Sequence, residues 1–437
     1  MENVVKAPPS KSISHRALMC AALADGESTV KNLLIADDTK RTMDCLKSLG
    51  AKIDFISDNS VKIKGISTQN SPRHVELNVG ESGTTCRLII PIVAALNGIE
   101  ARIYGTGRMH ERPVSDLTDA LIKLGCNIIF EQKNGYPPLV IKAKGFEGQE
   151  VDISIEKSSQ YLSGLLLAAP FCSSYLEINL SGKKAVSWPY VGLTIFVMQC
   201  FGVDVLIYEK ENRNWILKKL QEIKNVVPGK IKFRVSKGRY RPTEFFVEGD
   251  FSNASYLIAA GILLDKGLKI QGLNKDSLQG DKKIVDILKK MGGKIYWDGD
   301  ILICEKSNLR GIEINMKECP DLVPTVAVMA SIAKGKTVIK GVEHLRIKES
   351  DRLLGVAKEI EKVGAKVVVF EDGLEIEPRD IPTGKEICFS TYNDHRMAMS
   401  MSLYELVNVV VNLDNRDCVA KSFPNFFEVF NKIRKLK

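Results

Sequence analysis

One phrase recurs through the chain and limits its fold more than any other feature. Its copies are LKSLGAKI, LIKLGCNI, VMQCFGVDV, LKKMGGKI and EKVGAKV, built around Gly50, Gly125, Gly202, Gly292 and Gly364. Each reads as the end of an amphipathic helix, closed by a glycine just past the last turn and followed by a short β-strand. The segment FFEVFNKIRKL reads as a sixth, shortened copy. Between the copies lies a second kind of helix, represented by SHRALMCAALADG, TTCRLIIPIVAALNG, SQYLSGLLLAAP, ASYLIAAGILLDKG, TVAVMASIAKG and HRMAMSMSLYEL. These are apolar on most faces, which predicts burial. Chance supplies an LxxLG ending once or twice, but not six alternating pairs. With strands such as VKIKGI, PLVIKA and DILICE, the pattern predicts an α/β protein of two domains with three units each. The crossover falls near Arg239 to Phe246. A chain of 437 residues exceeds what one core usually serves, which agrees.

Composition narrows the function. The chain has 44% hydrophobic and 26% charged residues, as ordinary globular proteins do. No apolar run reaches the roughly 18 residues that span a bilayer. The start, from Met1 to Lys6, lacks the pattern of a signal or transit peptide, so a cytoplasmic location is expected. The ten cysteines, among them Cys20, Cys86, Cys126 and Cys319, include no CxxC pair and read as reduced, mostly buried thiols. The five histidines show no ligand spacing, so no bound metal is expected. A net charge of +9 suits nucleic acid, an anionic membrane or small acidic ligands. Basic residues are scattered, aromatics are only 7%, and no RNP-type stacking motif is present, which disfavours nucleic acid.

The polar residues gather just before the helices. Ahead of the apolar ones stand Lys11-Ser12-Ile13-Ser14-His15-Arg16, Gly80 to Thr85, Ser158-Ser159-Gln160, Cys319-Pro320-Asp321 and Asn393-Asp394-His395-Arg396. Ahead of the amphipathic ones stand Arg108 to Pro113, Arg346 to Arg352 and Lys421-Ser422-Phe423-Pro424. Capping accounts for the serines, threonines and aspartates. It does not account for lysine and arginine, which oppose the helix dipole at that end by a few tenths of a kcal/mol or more each. An anionic ligand resolves the conflict, because helix N–H groups and neighbouring cations both favour phosphate or carboxylate. Aligned repeats would bring these helix starts to one face of each domain, and two such faces closing on each other would make a cleft for a polyanion.

These motifs carry a resemblance. GTTCR (Gly83 to Arg87), the RMHERP loop (Arg108 to Pro113), LRIKESDR (Leu345 to Arg352) and NDHRMAM (Asn393 to Met399), in this order between Lys11-Ser12 and Lys421-Ser422-Phe423-Pro424, resemble the 5-enolpyruvylshikimate-3-phosphate (EPSP) synthase family over nearly the whole chain. The resemblance implies two similar domains, each of three βαβαββ-like repeats, in an inside-out α/β barrel of the enolpyruvyl transferase type with helices inside and sheets outside. It implies residues 12–240 as the N-terminal domain, on the shikimate 3-phosphate side. Residues 1–11 and 241–437 would form the C-terminal domain, carrying the phosphoenolpyruvate side and the catalytic acid and base. The implied reaction moves the enolpyruvyl group of phosphoenolpyruvate to the 5-hydroxyl of shikimate 3-phosphate and releases phosphate, by addition and then elimination. No metal or organic cofactor is implied, and the partners are the two small substrates alone, with no nucleic acid or membrane and the chain a monomer.

Residue by residue, the resemblance assigns Lys11, Ser12, Arg16, Ser158, Ser159, Gln160, Ser187, Asp321 and Lys348 to shikimate 3-phosphate. It assigns Lys11, Gly83, Arg108, Gln160, Glu349, Arg352, Arg396 and Lys421 to phosphoenolpyruvate. Arg352 and Arg396 suit the carboxylate, because a guanidinium binds one through two N–H groups. Arg108 and Lys421 suit the departing phosphate. Asp321 matches the base that takes the 5-hydroxyl proton, and Glu349 the acid that protonates the methylene carbon; Lys11 and Lys348 complete the catalytic set. A carboxylic acid that donates at neutral pH needs a raised pKa, and the neighbouring cations push the other way. Simpler readings stand beside these: capping for the serines, an N-cap of TVAVMASIAKG for Asp321, and an ion pair with Glu111 for Arg108.

Two positions depart from the commoner family pattern, Glu81 before GTT and His344 before LRIKESDR, and neither is assigned to the site. The rival within the fold is UDP-N-acetylglucosamine enolpyruvyl transferase, which has a cysteine in the mobile loop where this chain has GRMHERP. A rival of another class is an RNA-binding or RNA-end-processing protein on a related scaffold, suggested by charge alone. A catalytically dead binding protein would leave Asp321, Glu349 and the basic set unexplained.

Overall fold

The computed structural model describes residues 3–66, 73–223 and 225–437. Met1 and Glu2, read above as part of a start without a leader, lie outside the described residues. The described residues form twelve α-helices: α1 Lys11–Leu23, α2 Asp37–Ser48, α3 Gly83–Ala95, α4 Ser115–Lys123, α5 Gln160–Ala168, α6 Pro189–Cys200, α7 Phe251–Leu263, α8 Lys283–Lys290, α9 Val323–Ile332, α10 Arg352–Glu361, α11 His395–Ser402 and α12 Phe426–Arg434. The odd-numbered helices are the apolar ones of the sequence, and nearly every residue in them is buried. The even-numbered helices other than α6, which buries Val191 to Ile195 in one run, are buried on part of their surface; in α2 the buried residues are Asp38, Thr39, Thr42, Met43, Cys45 and Leu46.

The recurrent glycines end the even-numbered helices for a backbone reason. Gly50, Gly125, Gly202, Gly292 and Gly364 all have positive φ, between 79° and 104°. Their N–H groups reach back three residues, and after Gly50, Gly125, Gly202 and Gly292 the next N–H reaches back five, as from Ala51 to the Leu46 carbonyl. That is the Schellman closure, which a side chain at the left-handed position would strain.

The chain divides into two compact units, Lys11–Val247 and Met1–Ser10 with Glu248–Lys437, each with its own hydrophobic core. Among the described residues each unit holds three open sheets, five of the six mixed and the sixth a single parallel pair. In the first unit they run Glu244–Phe246, Glu27–Lys31, Ser60–Lys64, Lys52–Ser57; His74–Asn78, Asn97–Tyr104, Leu139–Lys144, Asn127–Phe130; and Glu150–Ser154, Tyr175–Ser181, Ile231–Ser236, Leu206–Glu211, Asn214–Lys218. In the second they run Val4–Lys6, Leu268–Gln271, Ile301–Glu305, Lys294–Asp298; Glu313–Asn315, Thr337–Lys340, Leu374–Glu377, Lys366–Val369; and Glu386–Phe389, Val410–Leu413. The first pair in every sheet is parallel and the later pairs antiparallel. Four of the parallel pairs flank a buried helix, α3, α5, α9 or α11, as a parallel crossover requires.

The remaining two parallel pairs are exchanged. Val4–Lys6 precedes α1 yet pairs with Leu268–Gln271, and Glu244–Phe246 precedes α7 yet pairs with Glu27–Lys31. Residues 241–247, expected with the C-terminal domain, therefore belong with Lys11–Val247, and Lys11 belongs with the helix it begins. No described helix is long and apolar enough to cross a membrane. All ten cysteines are free, seven of them buried.

Candidate functional site

In the first unit the starts of five helices are tied together by polar side chains. α1 begins at Lys11 itself, so Lys11, Ser12 and Arg16 lie in its first two turns and not ahead of it. Lys11 Nζ is 3.1 Å from Asp38 Oδ2 on α2. His15 Nδ1 lies 2.7 Å from Thr42 Oγ1, and Thr42 is 2.8 Å from Thr85 on α3. Burial pushes the His15 pKa down to about 3 against the pull of Asp38, so this ring is neutral. Ser82 caps α3 by accepting from the Thr85 N–H. Gln160, the first residue of α5, donates to Thr84 Oγ1 at 2.9 Å and accepts from Arg87 Nη1 at 3.0 Å.

Arg16 closes the ring. Its Nε donates to Thr194 Oγ1 on α6 at 2.7 Å, Nη1 to the Ser12 carbonyl at 2.8 Å, and Nη2 to the Tyr190 carbonyl at 3.0 Å and Ser163 Oγ on α5 at 3.4 Å. The residue is 1% exposed. Among the described residues its hydrogen-bond partners are hydroxyls and carbonyls, and none is a carboxylate. Burial lowers its pKa to about 10, with Tyr190 and Cys20 opposing. A buried cation held by neutral dipoles is an electrostatic cost that an arriving anion removes.

The other assigned residues of this unit have local settings of their own. Gly83 begins α3 beneath Arg112: an added Cβ would come within 2.4 Å of the guanidinium, so the position admits no side chain unless Arg112 moves. Ser158 Oγ accepts from the Gln160 N–H at 3.2 Å, while Ser159, at the cap position of α5, makes no side-chain cap bond. Ser187, just before α6, has φ 54°, a left-handed backbone uncommon outside glycine. Arg108 lies exposed in the short 3-10 helix Gly107–Glu111 and makes the 2.9 Å pair with Glu111 that its loop allows. The Glu81 carboxylate packs against Gly107 in the same loop.

The second unit concentrates opposite charges. Asp321 lies in the 3-10 turn Pro320–Leu322 that leads into α9. The N-cap expected of it does not form: Leu322 holds the cap position, and the Asp321 carboxylate accepts Arg352 Nη1 and Arg396 Nη2, both at 2.8 Å. Arg352, the buried first residue of α10, also donates Nη2 to Glu349 Oε2 at 2.7 Å. Its Nε and Nη2 bind Asp394 at 2.6 and 3.2 Å. Asp394 is fully buried, caps α11 through the Arg396 N–H at 3.0 Å and accepts from Ser350 Oγ at 3.1 Å. Here the protein's own carboxylates, and not a ligand, offset cations at the positive ends of helices. Burial alone would raise the Asp321 pKa, but Arg396, Arg352 and Lys348 outweigh it and hold the carboxyl well below the usual range. Arg352 stays charged despite burial because Asp394, Glu349 and Asp321 surround it.

Lys348 occupies the turn before Glu349, and Lys421 is the buried last residue of the 3-10 helix Asp417–Lys421. The neighbour of Lys421 is fastened to α7 by Asn253 Nδ2, 3.0 Å from the Ser422 carbonyl. Asp281, buried and bonded by Ser252, has its pKa pushed up to about 7 by burial and then by the charge of Asp321. His344 is buried in the 3-10 helix Glu343–Ile347.

The structure thus joins Lys11, Ser12, Arg16 and Gln160 in one unit, and Asp321, Glu349, Arg352 and Arg396 in the other. Residues missed from sequence include Arg112 and Arg87, present in the quoted motifs, and Asp394, whose place before an apolar helix suggested only capping. Thr194, Ser163 and Asp281 carried no local signal. Among the described residues no group of three or more His, Cys, Asp or Glu side chains could hold a metal ion.

Comparison with known proteins adds the family. The family model for EPSP synthase (3-phosphoshikimate 1-carboxyvinyltransferase) matches residues 1–430. A 3-phosphoshikimate 1-carboxyvinyltransferase of Haemophilus influenzae is 38% identical, with 99% of this chain and 96% of that protein covered. One from Actinobacillus succinogenes is 40% identical, covering 99% and 97%. The fold is similar to that of an EPSP synthase from Acinetobacter baumannii, with TM-score 0.75, 24% identity, and 99% and 95% coverage. It is also similar to the enolpyruvyl transferase NikO of Streptomyces tendae, with TM-score 0.72, 17% identity and the same coverage. Together with the motifs from Lys11 to Lys421, these matches make the chain a member of the EPSP synthase family.

Proposed function

We propose that this chain transfers the enolpyruvyl group of phosphoenolpyruvate to the 5-hydroxyl of shikimate 3-phosphate, releasing phosphate, as a step of aromatic amino-acid biosynthesis. The observation that carries the chemistry is the cluster in which Asp321 and Glu349 share Arg352, with Arg396 on the far side of Asp321. It sets two carboxyl groups beside two guanidiniums, which suits a reaction that needs an acid, a base and a clamp for a carboxylate.

In this reading Arg352 and Arg396 hold the donor's carboxylate, and Arg108 and Lys421 its phosphate. Glu349 protonates the methylene carbon while Asp321 takes the proton of the attacking 5-hydroxyl, forming the C–O bond of a tetrahedral intermediate. Loss of a proton from the new methyl group and of phosphate from the same intermediate restores the double bond. Gly83, Gln160, Lys11 and Lys348 complete the contacts. Arg16, Ser12, Ser158, Ser159 and Ser187 take shikimate 3-phosphate, and the neutral surroundings of the buried Arg16 support an anion there.

The buried odd-numbered helices with sheets of alternating burial support reading each unit as half of an inside-out α/β barrel. The scattered basic residues support small-molecule substrates without a nucleic-acid partner, and the reading includes a monomeric, cytoplasmic enzyme without a cofactor. Phosphate release measured with both substrates, then with each omitted, tests the activity. Release is expected only with both, and release that ignores shikimate 3-phosphate overturns the reading.

A further inference from the structure

A guanidinium has five N–H groups, and four of those on Arg352 are already committed: one to Asp321, one to Glu349 and two to Asp394. Arg396 adds a bond to Asp321. A donor carboxylate that binds Arg352 through two N–H groups has to displace a carboxylate of the protein. Asp394 is poorly placed to leave, since it is 0% exposed and also holds Ser350 and the α11 start. Asp321 and Glu349 are the more accessible partners, with side chains 19% and 13% exposed.

We propose that the carboxylate of the enolpyruvyl donor competes with Asp321 and Glu349 for the Arg352 and Arg396 guanidiniums, so that donor binding frees the acid and base of the reaction and draws a proton onto Glu349. The proposal rests on the reading given under Proposed function. It answers a conflict in that reading: a carboxyl paired with a guanidinium prefers its ionised form, whereas the acid has to carry a proton. Displacement from Arg352 beside an incoming negative charge reverses the preference. No bond to carbon changes on binding. The proton comes from solvent, passes to the methylene carbon in addition and returns from the methyl group in elimination.

The groups around the pair are set. Lys348 and Arg396 favour ionisation of Asp321, and Glu349 opposes it. Asp281 from the turn before α8 opposes it as well. Asp394 from the α11 cap holds Arg352 from behind, with His395 Nδ1 at 3.7 Å from it. Tyr256 from α7 borders Arg396 and Arg352 and remains a neutral phenol, its pKa raised by burial. Glu349 is the proposed site of uptake because Asp321 keeps the charge of Lys348 beside it.

The test is calorimetry of 2-phospholactate, the saturated donor analogue, binding to the shikimate 3-phosphate-loaded protein at pH 7 in two buffers of different ionisation enthalpy. The difference between wild type and Glu349→Gln isolates the proton on Glu349 from any on the analogue's phosphate. Wild type should take up at least half a proton more per analogue bound. The variant should bind the analogue roughly fivefold more tightly, the equivalent of losing a competing ion pair worth about 1 kcal/mol. Shikimate 3-phosphate binding unchanged in Glu349→Gln shows that the variant is folded. Equal proton counts, or weaker analogue binding by the variant, overturn the proposal. Turnover by wild type that requires both substrates separates that failure from failure of the functional reading.

Discussion

Two buried arginines, one in each unit, show opposite ways of keeping a cation inside a protein. Arg16 is surrounded by the hydroxyls of Thr194 and Ser163 and the carbonyls of Ser12 and Tyr190. Arg352 is surrounded by three carboxylates. The first pays for burial with oriented dipoles and keeps its charge for an outside partner. The second is neutralised, so any anion that binds it must take the place of something. Helix starts rich in arginine therefore do not by themselves say whether a ligand site is waiting or occupied by the protein.

The comparison breaks most sharply under substitution. Arg352→Met should lower the unfolding free energy by about 3–5 kcal/mol, because Asp394, Asp321 and Glu349 lose their shared cation. Arg16→Met should change stability by less than about 1 kcal/mol in the same denaturant titration while weakening shikimate 3-phosphate at least ~30-fold by calorimetry. Equal stability losses in the two variants would erase the distinction. Glu349→Gln should lower phosphate release by roughly 10²–10⁴-fold with shikimate 3-phosphate binding retained; a smaller loss would move the acid elsewhere.

A pH series sharpens the picture of the second unit. The Asp281 pKa is raised from 3.8 to about 7, first by burial and then by Asp321, with Arg396 and Ser252 opposing and Asp250 adding to the rise. The protonated form is thus the one the fold prefers. Its contribution is present below pH 4 and is lost as pH rises toward 7. Asp281→Asn should remove that loss, gaining about 4 kcal/mol over wild type between pH 4 and pH 8 in urea melts. No gain would place the proton elsewhere. The smallest effect belongs to the exposed Arg108–Glu111 pair: Glu111→Ala should shift stability by less than about 1 kcal/mol. A larger shift would give that loop a structural task.

What the sequence made legible was local. A left-handed glycine after a helix leaves its mark in five consecutive motifs, since φ near 100° at Gly50 or Gly292 requires no distant partner. The apolar run of α3 or α9 likewise announces its own burial. The assignment of Glu244–Phe246 was not legible, because its strand partner lies more than 200 residues earlier and parallel pairing has no turn to signal it. Nor could spacing tell Arg16 from Arg352: both stand at helix starts, and only contacts such as Arg16 to Thr194 or Arg352 to Asp394 reveal which has a counter-charge. Asp321 read as a cap and as a base alike, and only its contacts, with Leu322 at the cap position and its carboxylate between two arginines, remove the cap.

The exchanged strands have a consequence for synthesis. Residues 11–247 contain every strand their three sheets need, so this half can complete its core while the rest of the chain is still being made. Val4–Lys6 is translated before that half, yet its mate Leu268–Gln271 emerges only after it, leaving this strand as a tether without its partner while the whole half is made. A nascent chain arrested just after Glu248 clears the exit tunnel should already resist protease across 11–247 while the strand Val4–Lys6 remains open to cleavage.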